Sequence, residues 1–187
     1  MDNQNDLRSW LKPKANEILQ RLTATERETL LIKCWMSHDA RWFMAVANEY
    51  GIQVANRLNQ IAAHAVGAVE AQRIVRALQL PPIATLDDYI LAQEIFIQWL
   101  GPDLLDYQVS KVDATTIRLH VRRCFAYDNA VRAKIADDYE CGIFARVTGW
   151  LDALSLPYTL LPALGKCLKA QGHECACAMT INTQAKE

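Results

Sequence analysis

Five of the six cysteines, Cys124, Cys141, Cys167, Cys175 and Cys177, fall within positions 124–187, whereas Cys34 stands alone upstream. A thiolate is both a nucleophile and a soft metal ligand, so a cluster of this kind points to metal or thiol chemistry. The plain alternative is a set of inert buried thiols packing as small hydrophobes. Twenty-five residues separate Cys141 from Cys167, and seven separate Cys167 from Cys175. A second chemistry-bearing group lies in the stretch CWMSHDARWF (Cys34 to Phe43), where His38 and Asp39 stand among Trp35, Trp42 and Phe43. Adjacent helix positions point about 100° apart, so His38 and Asp39 cannot form a face-to-face dyad. A polar group beside aromatic surface costs free energy unless it is hydrogen-bonded. The functional reading has Trp35, His38, Trp42 and Phe43 lining a pocket, with His38 and Asp39 as catalytic candidates and His38 the acid–base group. The bland reading is a satisfied core histidine and a bridging aspartate. Asn56 and Asn59, one turn apart, read as ordinary solvated amides.

The elements that must position these residues change character near the middle of the chain. Helical spacing runs through the first hundred residues. Thr25 followed by Glu28 is a capping-box pattern that predicts a helix start, and Gly51 predicts its stop as an αL cap. A long helix is expected from about Ile52 to Leu80, ended by Pro81-Pro82. Its alanines and Gly67 leave room for another backbone. Thr85 with Asp88 caps a fourth helix, which runs to Leu100. Beyond it the period falls to two: Tyr107–Val112 and Thr116–Phe125 read as a hairpin, the latter alternating Ile117, Leu119 and Val121 with Arg118, His120 and Arg122. Asp137 and Asp138 suit the start of a helix whose first turn contains Cys141. Pro157–Leu161 and Cys175–Ile181 read as a second hairpin. The expectation is a single α+β domain over 1–187, with a helical part (1–102) packed on a small antiparallel sheet plus helix (103–187).

With 20 Lys+Arg against 21 Asp+Glu, the chain carries a formal charge of −1. That balance gives no electrostatic reason to expect nucleic acid or an anionic membrane as partner. No apolar run approaches the roughly 20 residues of a membrane span, and Met1–Asp6 lacks the basic start of a signal peptide. A cytoplasmic protein is expected, with a homodimer compatible with it. Phosphate-binding loops, dinucleotide fingerprints, nucleophile elbows and His-Glu-x-x-His are absent from the sequence.

The stretch Tyr139–Ile181, with Gly142 and Gly149 in its helix and Gly172 in its last turn, resembles the 4-vinyl reductase-type ligand-binding domain, related to heme-NO-binding α+β folds. The resemblance implies a zinc ion held by Cys141, Cys167 and Cys175 beneath a pocket for a small apolar or aromatic molecule. Where such sites place an acidic ligand, this chain has Leu164. Cys124 is the leading candidate for the fourth ligand, because a closed zinc site accepts four thiolates; His173 and Cys177 are the alternatives. The spread of Cys124, Cys141, Cys167 and Cys175, with CWMSHDARWF upstream, is also similar to a bacterial and archaeal group related to L-2-amino-thiazoline-4-carboxylate hydrolase. That likeness implies the rival function, a zinc- or thiol-dependent hydrolase of a small cyclic amide-like or thiazoline substrate.

Overall fold

The computed structural model describes residues 7–101 and 104–183. The chain divides into two compact units, Met1–Asp39 and Ala40–Glu187. Within the described residues the elements run α1 (Leu7–Leu19), α2 (Ala24–Tyr50), α3 (Ile52–Leu78), α4 (Leu86–Leu100), β1 (Leu105–Lys111), β2 (Thr116–Cys124), α5 (Phe125–Arg132), α6 (Gly142–Ala153), β3 (Tyr158–Leu161) and β4 (Ala176–Ile181). Helices and one antiparallel sheet coexist, as the change of period predicts, so the fold is α+β. No helix among the described residues is long and apolar enough to cross a membrane.

The first unit holds α1 and the opening half of α2. The cap of α2 lies two residues earlier than the sequence reading placed it. Glu26 N–H donates to Thr23 Oγ1 at 3.2 Å, and Thr23 N–H donates to the Glu26 carboxylate at 2.8 Å. The capping pattern occurs twice in overlapping register here, and the helix begins at the earlier copy, gaining backbone hydrogen bonds for little added ordering.

In the second unit Gly51 alone separates α2 from α3. Rather than the αL cap expected, it adopts φ +88°, ψ 158° at the N-cap of α3, a conformation that glycine takes without steric cost. The predicted box at the start of α4 forms: Asp88 N–H donates to Thr85 Oγ1, and Thr85 N–H returns to the Asp88 carboxylate at 2.8 Å. The sheet has strand order β1-β2-β4-β3, all neighbours antiparallel. Its buried face carries Ile117 and Leu119 of β2 opposite Met179 and Cys177 of β4. Against it pack Tyr89 and Phe96 of α4 and Trp150 and Leu151 of α6. The Phe96 and Trp150 ring centroids are 5.4 Å apart at 58°, a favourable tilted geometry.

Two sequence expectations are corrected. The second strand stops at Cys124, and Phe125 opens α5, an eight-residue helix absent from the sequence reading. Its amphipathic stretch is too short for a 3.6-residue period to separate from the tail of a strand. Asp137 and Asp138 lie in a 3-10 turn, Ala136–Asp138, and α6 starts only at Gly142, with Cys141 its N-cap rather than part of its first turn.

Helices α3 and α6 meet backbone to backbone. A Cβ built on Gly67 would stand 2.2 Å from the Arg146 carbonyl oxygen, and one on Gly149 would stand 2.1 Å from the His64 carbonyl oxygen. The room foreseen at Gly67 is therefore filled by α6. Side-chain contacts flank the crossing: an ion pair of Arg146 with the half-buried Glu70, and a hydrogen bond between His64 and Asp152 at 2.7 Å. Because each neighbouring atom is main chain, no side-chain adjustment relieves an added methyl. Gly149→Ala and Gly67→Ala are each expected to destabilise the fold by at least about 2–3 kcal/mol, read as a lower urea midpoint at unchanged m-value.

Candidate functional site

Cys141, Cys167 and Cys175, which the resemblance implies as ligands, line one cleft together with Cys124, the leading candidate for the fourth, and with Cys177. The cleft, counted together with the open solvent at its mouth, spans about 680 Å³. Val121, Tyr127, Tyr139, Phe144, Leu160 and Leu168 supply much of the remaining wall, so the surroundings are apolar and aromatic.

Two stretches of backbone pairing bring these distant residues together. Cys141 N–H donates to Gly165 O at 2.9 Å, Cys167 N–H donates to Tyr139 O at 2.9 Å, and Glu140 bridges Lys166 in antiparallel fashion. This short ladder sets Cys141 beside Cys167. On the sheet, Val121 N–H donates to Cys175 O at 2.8 Å, three residues before β2 ends at Cys124. Cys124 and Cys141 are also the N-cap residues of α5 and α6, so two helix N-termini face the site.

Burial dominates the electrostatics of the thiols. It pushes Cys141 up to about 12, with Cys124 and Cys175 adding repulsion. Cys175 is pushed up to about 11 by burial, then by Cys124 and Cys167, while Lys169 opposes. Cys177 rises to about 11, and Cys124 shifts the same way, in each case chiefly through burial. The backbone N–H groups of Ala126 and Tyr127 at Cys124, and of Phe144 and Ile143 at Cys141, pull toward the thiolate but do not win. An activated nucleophilic cysteine needs a depressed pKa, and here the protein alone pushes the other way.

A divalent cation would invert that balance, since ligation deprotonates a thiol outright. The donor set suits zinc: soft sulfur ligands, four in number, with amide dipoles pointing at two of them. In the side-chain positions seen here, no three His, Cys, Asp or Glu side chains among the described residues form a coordination shell. Ligation therefore requires the four Sγ atoms to turn toward one point. Of the alternative fourth ligands, Cys177 is in the cleft wall but also packs in the sheet core, and His173 is exposed outside it.

Of the other candidate group, Trp35, His38 and Asp39 belong to the first unit, and Trp42 of the second unit is not part of this cleft's wall. Trp35 and Trp42 are 38% and 63% exposed, and His38 and Asp39 are exposed. Phe43 is half-buried and meets the Tyr139 ring edge-on at 5.8 Å, so it touches the site through a wall residue. Sequence reasoning passed over two participants. Asn56, read as a solvated amide, is 3% exposed and hydrogen-bonds the backbone on both sides of Tyr139. Tyr139 itself lines the cleft, and burial pushes its hydroxyl pKa up. Nothing in local composition marks either, because both roles depend on contacts more than 25 residues away in sequence.

The family model of DUF6125, a family of unknown function, matches residues 20–150. The chain belongs to DUF6125. The matched residues include α3, Cys124, Cys141 and the Gly67–Gly149 crossing, and they end before Cys167 and Cys175. No curated protein matches this DUF6125 chain.

Exposure and burial separate the thiols of the metal-free protein. At pH 8, exposed Cys34 is expected to react first with an aromatic disulfide reagent, and Cys34→Ser to abolish that fast phase. Cys141 and Cys175 are expected to react at least about a hundredfold more slowly, since burial leaves little thiolate. Rapid reaction of either, followed by peptide mapping, would contradict the burial seen here.

Proposed function

We propose that this DUF6125 protein is a cytoplasmic small-molecule-binding protein in which Cys124, Cys141, Cys167 and Cys175 hold one structural zinc ion. The observation that carries this reading is the convergence of four thiols, from four separate chain segments, on the wall of a single apolar cleft. Zinc would supply the positive charge that makes four thiolates compatible with burial, and it would cross-link the end of β2, the start of α6, the loop after β3 and the entry to β4. The rest of the cleft, with Tyr127, Tyr139 and Phe144 among its walls, suits a small apolar or aromatic molecule. A reducing cytoplasm keeps such thiols available. The hydrolase alternative requires an open metal position or an activated thiol, and four protein ligands leave no such position.

Elemental analysis of protein purified without chelator is expected to give about one zinc per chain, and native mass spectrometry to detect any retained small molecule. Cys141→Ser is expected to release the metal and lower Tm by about 10 °C, the loss of a few kcal/mol in a chain of this size. Protein that holds no zinc when purified without chelator and takes none up when zinc is added would overturn the proposal. A Cys141→Ser variant that keeps zinc and Tm yet loses hydrolysis of a thiazoline would install the hydrolase instead.

A further inference from the structure

Asn56 lies in the second turn of α3, 3% exposed, far in sequence from the cysteines. Its Nδ2 donates to Asp138 O at 2.6 Å, and its Oδ1 accepts from Glu140 N–H at 3.2 Å. These two bonds span Tyr139 and end one residue before Cys141. One turn further along α3, Asn59 closes over the start of α6: its Nδ2 lies 2.7 Å from the point a Gly142 Cβ would occupy. The same four-residue segment, Asp138–Cys141, makes the opposite pairing, through Tyr139 O and Cys141 N–H, to Cys167 and Gly165. Asn56 thus satisfies one edge of the loop while the Gly165–Cys167 segment satisfies the other.

We infer that Asn56 is the positioning residue of the cysteine site, fixing the Asp138–Glu140 backbone so that Tyr139 and Cys141 enter the cleft in register with Cys167. The inference rests on the metal-binding reading. An amide is the side chain for the task because it offers a donor and an acceptor at once; a carboxylate in its place accepts only and would face the Asp138 carbonyl with like polarity. Both bonds are part-buried and Asn56 itself is buried, so a polar group left without its partner there is costly and loss of either bond moves the loop. Groups that orient metal ligands without touching the metal commonly govern affinity by about 10- to 100-fold.

The test is a Co²⁺ titration of metal-stripped, full-length protein, followed by sulfur-to-cobalt charge-transfer absorption. Asn56→Asp, nearly equal in volume, is expected to bind Co²⁺ at least about tenfold more weakly and with a less intense charge-transfer band, at unchanged helix content. An amide that only fills space would leave affinity and spectrum unaltered, and that result overturns the inference. Wild-type protein that takes up no cobalt overturns the metal reading and this inference with it; wild-type binding with an unaffected variant overturns this inference alone. Should the variant not fold, hydrogen exchange on the unaltered, metal-stripped protein decides. The Glu140 amide is expected to be protected, and exchange at the rate of an open loop refutes the clamp.

Discussion

Main-chain contact between α3 and α6 at Gly67 and Gly149 governs where nearly everything else in the second unit lies. Without a Cβ at either crossing point the helices approach closely enough for Glu70 to reach Arg146, and Trp150 Nε1 stands 3.5 Å from the same carboxylate. A half-buried ion pair contributes little net stability against its desolvation, but it fixes orientation, because a misplaced helix would leave a charge unpaired. With that orientation set, Trp150 and Leu151 enter the core over the sheet, and the N-terminus of α6, with Cys141 as its cap, comes under the opening turns of α3.

The cleft lies where three kinds of backbone order end together. The sheet delivers Cys124 and Cys175, the short ladder delivers Cys141 and Cys167, and two helix N-termini direct amide groups at two of the sulfurs. Such an assembly is costly for thiols left to themselves: the apolar wall disfavours thiolate, and each cysteine worsens the ionisation of its neighbours. A cation would resolve that conflict, which is the physical argument for the proposed metal over an activated nucleophile.

Much of the fold was legible because local rules were obeyed. The Thr85–Asp88 box, the break at Gly51, the double proline after α3 and the two-residue alternation of β2 each follow from the conformational preferences of a few adjacent residues. Where two local signals competed, as in the overlapping caps at Thr23 and Thr25, or where a helix was as short as α5, local preference did not discriminate. The neglected Asn56 is buried in support of the cleft, a role that turns on burial, and burial is not a local property.

The sequence by itself determined the α+β class, the helix and strand periods, and that several cysteines crowd the C-terminal part of the chain. It also determined that α3 could accept a close neighbour at Gly67. Only the tertiary structure decided that the neighbour is α6, that Cys124, Cys141, Cys167 and Cys175 face one cleft, and that an asparagine from α3 holds the loop beside them. The physical reason is range: caps, turns and periodicity act over a few residues, whereas the pairings that assemble the site join residues as far apart as Asn56 and Glu140. Such pairings are selected by packing across the whole unit.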